Sequence, residues 1–93
     1  MVVGILYMDL FIPESTSLKV KRSAIKSLKD RIRNKFNVSI AEVDHMDKWQ
    51  RASLGVSVVS TDTKQVESIL NNVVNLVLAE PRVEIIEKTI QYI

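Results

Sequence analysis

The chain has no cysteine, only two prolines and two glycines, one histidine, one tryptophan and an aromatic content of 5% over its 93 residues. Without cysteine, disulfide scaffolds, CxxC redox chemistry and cysteine-ligated zinc are all excluded. The scarcity of glycine removes the glycine-rich phosphate loop, since FIPESTSLKVKR, which follows the first strand-like run, contains none. No stretch is rich in proline or glycine as a linker would be, and no apolar run approaches the roughly 20 residues needed to span a bilayer. The opening MVVGILYMDLFIPE carries no basic leader and no small-residue cleavage pattern. A soluble, cytoplasmic protein is therefore expected.

What is present is a composition of 46% hydrophobic and 26% charged residues, which suits one compact domain over residues 1–93. The net charge is only +2, but it is unevenly laid out. Ser17 to Phe36, SLKVKRSAIKSLKDRIRNKF, holds eight basic residues against the single acid Asp30, a local +7 that leaves −5 for the remainder. A basic sector on an acidic body has the character of an electrostatic docking surface, although charge runs also occur on plain solvated helices.

Val2 to Ile12 is β-branched and aromatic and stops at Pro13, so it reads as a strand. Both faces are apolar, with Leu6, Met8 and Leu10 on one and Ile5, Tyr7 and Phe11 on the other, which predicts a central strand. Ser15, Thr16 and Ser17 offer N-caps for a helix whose apolar stripe is Ile25, Leu28, Ile32 and Phe36. Asn37–Asp44 and Arg51–Ser60 read as strands joined by the polar loop HMDKWQ. Asp62 caps a second helix that Pro81 ends, and RVEIIEKTIQYI forms a last, charged edge strand. The order predicts an α+β, ferredoxin-like βαββαβ fold: a four-stranded antiparallel sheet with both helices on one face.

At about 100° per residue, Lys19, Arg22, Lys26, Lys29 and Arg33 fall in one stripe of the first helix, about 21 Å long at 1.5 Å per residue. That length suits several phosphates along a nucleic-acid backbone. No glutamate compensates the stripe at helical spacing, which favours an anionic partner. Lys21 falls within the apolar face near the helix start; it either snorkels to the rim or joins Lys19, Arg22 and the Ser15–Ser17 hydroxyls in an anion pocket. In the loop, Lys48, Trp49 and Arg51 offer cations beside an aromatic, with Trp49 either folding over the core end or serving as a stacking anchor. Asp44, His45 and Asp47 could face a metal, but such loops more often cap and turn, and His45 has no evident catalytic partner. Neither a cofactor nor an enzymatic activity is expected.

Other uses of this architecture fit poorly. RNA-recognition domains stack bases on aromatics of the central strands, and RASLGVSVVS has none. Metal-chaperone forms need two cysteines, and acylphosphatase forms need a glycine-rich anion loop. The motifs SLKVKR, NVSIAEVD and WQRA resemble the small bacterial YlxP-like family, and the resemblance runs through nearly the whole chain. The resemblance implies a ferredoxin-like fold and an intracellular protein without an established enzymatic activity. Family genes commonly neighbour those for a transcription elongation factor, a translation initiation factor and ribosome-binding factor A, which implies a setting in ribosome assembly or translation. The resemblance supplies no established catalytic or binding residues to carry over.

The expected function is a non-enzymatic RNA- or ribosome-associated accessory protein, with phosphates contacted through Lys19, Lys21, Arg22, Lys26, Lys29 and Arg33 and through Lys48, Trp49 and Arg51. The alternative is a sheet-to-sheet homodimer module that covers Ile5, Tyr7 and Phe11. A small-molecule sensor or enzyme ranks last.

Overall fold

A computed structural model describes residues 1–93. The elements run β1 (Val2–Phe11), α1 (Leu18–Lys35), β2 (Ser39–Asp44), β3 (Arg51–Ser60), α2 (Thr63–Leu78) and β4 (Glu84–Tyr92). The strands form one antiparallel sheet in the order β2-β3-β1-β4, so β1 is central and β4 lies at an edge, as the patterning predicts. Ser17 and Asp62 cap the two helices, each side chain accepting from the backbone N–H three residues on. β2 begins two residues later than the sequence suggests, because the Val38 N–H turns back to the Phe36 carbonyl at 3.0 Å.

Period-two alternation sorts β1 between two environments. Leu6, Met8 and Leu10 are fully buried and meet Ile25, Leu28 and Ile32 of α1 and Val66, Leu70, Val73 and Val77 of α2 in a single core. Each such Leu or Ile contributes about 1.5–3 kcal/mol by leaving water. Ile5, Tyr7, Asp9 and Phe11 lie on the opposite face and are only half-buried. Centrality in the sheet thus does not bring a cover for the second face, which the apolar pattern alone had suggested.

Helix α2 lies close on β1 because Gly4 leaves room for it. A Cβ at that position would sit 2.2 Å from Val66 Cγ1 and 3.0 Å from Leu70 Cδ1. Both neighbours are fully buried, and the β-branched Val66 has little rotamer freedom with which to yield. Gly4→Ala is expected to destabilise the fold by about 3 kcal/mol, the upper part of the usual range for overpacking, as measured by urea unfolding.

One end of the sheet gathers the loops. Phe11 pairs with Arg51 on β3 and with Glu84 on β4, so the start of α1, the β2–β3 hairpin and the α2–β4 turn share that end. The hairpin is tied to the β1–α1 connection: Ile12 N–H donates to the Gln50 carbonyl, and Gln50 Nε2 donates to the Pro13 and Ser15 carbonyls.

Candidate nucleic-acid interface

The basic stripe of α1 separates into free and engaged cations. Lys19, Arg22 and Lys26 are exposed and Lys29 is half-buried. Lys26 reaches Asp30 at 2.8 Å, and Arg33 lies 3.6 Å from the same carboxylate while donating to the Ile40 carbonyl at 3.0 Å. Asp30 therefore compensates the stripe at i+4 and i−3, which corrects the expectation of an unanswered row. Its carboxyl is held below the usual range, first by the hydrogen bond from Lys26. Lys19, Arg22 and Lys29 make no ion pair within the chain.

Lys21 does not belong to the surface at all. It is fully buried, and its Nζ faces Glu42 Oε2 at 2.9 Å and the carbonyls of His45, Met46 and Arg51 at 2.8, 3.2 and 3.3 Å. The snorkelling and anion-pocket readings both give way to a structural one: the lysine crosses under the helix and fastens both sides of the β2–β3 hairpin. Two of the hydroxyls expected beside it are engaged elsewhere, since Ser17 caps α1 and Ser15 Oγ donates to the Ser17 carbonyl, while Thr16 is exposed. A groove of about 330 Å³ remains at the helix start, where Lys19 and Arg82 are joined by Glu14, whose carboxylate would oppose an anion.

Arg51 is likewise withdrawn from the α1 surface. Alternation along β3 sends it to the uncovered face of the sheet, where Nη2 lies 3.5 Å from Asp9 Oδ2 and Nε is buried without a hydrogen bond. The same carboxylate accepts from Ser53 Oγ, which in turn accepts from Tyr7 OH at 3.0 Å, and His45 Nε2 stands 3.7 Å away. The sequence pattern does not bring Tyr7, Ser53, Asp9, Arg51 and His45 together, because they come from β1, β3 and the hairpin. The signal available was Asp9, the one charge inside the apolar run VVGILYMDLFI. His45 takes a left-handed backbone, φ 63°, and its carbonyl accepts from both Lys21 Nζ and the Lys48 N–H. No three of the chain's His, Asp and Glu side chains gather closely enough to hold a metal ion.

Trp49 is 56% exposed and does not fold over the core end, and Lys48 beside it is exposed too. On the other side of α1, Arg31 pairs with Glu80, a buried acid that also accepts from Arg82 N, Nε and Nη2 at 2.9, 3.0 and 3.0 Å. These bonds, Arg82's foremost, lower the Glu80 carboxyl from its ordinary 4.5 to about 2 despite burial. A depressed folded value means that the stabilisation is complete above pH 4.5 and disappears as pH falls through about 2. Allowing for the half-exposed arginines, Glu80→Gln should cost roughly 2–3 kcal/mol at neutral pH, and the gap from wild type should close between pH 4.5 and 2 in a pH series of denaturant melts.

The order and packing define a ferredoxin-fold protein. Two de novo designs share this backbone: one with ferredoxin fold aligns with 98% of the chain and 85% of its own at a TM-score of 0.55 and 14% identity. The other, Foldit4, aligns with 100% and 97% at a TM-score of 0.58 and 10% identity, likenesses of fold alone. Residues 3–90 match the family described as protein of unknown function, DUF503, and the chain belongs to that family. It is 38% identical over 82 residues, 88% of its length, to the uncharacterized protein YlxP of Bacillus subtilis strain 168, of which it covers 89%. No helix is long and apolar enough to cross a membrane.

Proposed function

We propose that the protein is a non-enzymatic RNA-associated accessory protein that binds phosphates along α1, consistent with the ribosomal setting that the family resemblance implies. The observation that supports it most is that Lys19, Arg22 and Lys29 stand on one side of a helix without an ion-pair partner, while the chain outside Ser17–Phe36 carries −5. Lys26, although paired with Asp30, remains 77% exposed at its side chain and can exchange that partner for a phosphate. The set is narrower than the sequence suggests: Lys21 and Arg51 are excluded by burial and orientation, and Arg33 is partly engaged. Lys48 and Trp49 extend it at the hairpin end. Fluorescence anisotropy with a structured RNA, and co-sedimentation with ribosomal subunits, test this reading. Binding is expected in both, and its absence at low salt would count against it.

The uncovered sheet face supports a second reading, a homodimer. Ile5, Tyr7 and Phe11 are half-buried there with no cover. The expected dimer places the sheets face to face and both α1 helices outside, so the two readings can hold together. Light scattering should show twice the monomer mass, and a strict monomer would dismiss the dimer without touching the RNA reading.

A further inference from the structure

We infer that Trp49 is a stacking platform for an unpaired base, so that the RNA partner is one whose duplex passes into a single strand. This rests on the reading of α1 as a phosphate-binding helix and specifies the substrate class of that site. A tryptophan loses free energy when more than half of its surface stays in water, and the usual compensation is to fold back on the core. Trp49 does not do so, although the hairpin that carries it is held firmly. Lys21 Nζ bonds the His45, Met46 and Arg51 carbonyls, Gln50 bonds the β1–α1 connection twice, and the Gln50 carbonyl accepts from Ile12 N–H. An exposed ring on a fixed mount loses little conformational entropy when a flat partner lies on it.

The mount also fixes where the loop stands. The hairpin is bonded to the residues immediately before α1 and, through Lys21, to its first turns, so the loop that carries Trp49 lies at the end of α1 where Lys19 and Arg22 begin the row. Bases inside a duplex present their faces only to one another, whereas an unpaired base offers a π-face that an aromatic ring can take. Cations along the helix for the backbone, followed by a ring for a free base, fit a stem that ends in an overhang or opens into a loop. The neighbouring Lys48 can meet the phosphate of the stacked nucleotide.

Two RNAs of identical stem separate this inference from the reading beneath it, one blunt-ended and one with a short single-stranded extension. Because Trp49 is the only tryptophan, its emission reports directly on stacking. The wild-type chain should bind the extended RNA roughly 10-fold more tightly than the blunt one, with quenched emission. Trp49→Ala should bind both with the blunt-end affinity, and Trp49→Phe should recover most of the difference. Equal affinity of the wild type for the two RNAs, or unquenched emission in the bound state, would overturn the stacking role while leaving the α1 reading in place. Failure to bind either RNA would overturn both.

Discussion

Replacing Lys21 by methionine should destabilise the protein by about 3–5 kcal/mol, a large share of the 5–15 kcal/mol that holds most domains folded. Methionine fits the volume and restores the apolar stem, so the loss comes from the ammonium. Without it, Glu42 is a carboxylate only 14% exposed at its side chain and lacks its counter-charge, and three carbonyls of the hairpin lose their shared donor. A double-mutant cycle locates the cause. Adding Glu42→Gln to Lys21→Met should recover part of the loss, since a neutral amide tolerates the site better than an orphaned carboxylate. Strictly additive losses, or a Lys21→Met variant within 1 kcal/mol of wild type, would mean that the ammonium is not the fastening element described. The hairpin should also loosen selectively, with faster amide exchange at Lys48, whose N–H is bound to the His45 carbonyl that Lys21 holds.

The largest effect on binding is expected from reversing charge at Arg22 and Lys29 together. Neither side chain makes an ion pair or hydrogen bond within the chain, so Arg22→Glu with Lys29→Glu should shift the unfolding midpoint only slightly, mainly through the Lys29 charge lost beside Asp30. Two reversals in a row of about four phosphate contacts remove attraction and add repulsion, and affinity for structured RNA at low salt should fall roughly 100-fold. The same reversals at Lys64 and Lys88, outside α1, serve as the comparison and should change affinity only modestly. Equal losses from the two pairs would point to net charge and not to the helix.

How far the sequence leads can be judged residue by residue. The cap Asp62, the strand boundaries of β3 and the apolar stripes depend on local chemistry and short periodicities and appear where the pattern places them, and the cap of α1 falls on Ser17, one of the three candidates. The sequence also marks Lys21 as anomalous from its helical angle, but its partners come from residues more than 20 positions away, and only the docking of α1 on the sheet brings them together. Arg51 looks continuous with Lys48 and Trp49 along the chain, yet one step of strand alternation turns it to the opposite face, toward Asp9. Glu80 follows the helix in a turn, where no periodicity predicts burial, and its two arginines come from different elements. Asp30 compensates Lys26 at the i+4 spacing that glutamate more often fills, so this pair is legible in the sequence once aspartate is counted with glutamate.

The central claim is that a row of about four cations on α1 meets RNA phosphates, and the salt dependence of binding measures it most directly. With counterion release of roughly 0.7–0.9 per phosphate, log affinity should fall against log salt with a slope of about −2.8 to −3.6, close to a 100-fold loss between about 50 and 200 mM. The double charge reversal in α1 should flatten that slope. Binding with a slope near zero, or a slope unaltered by the reversal, would contradict the account.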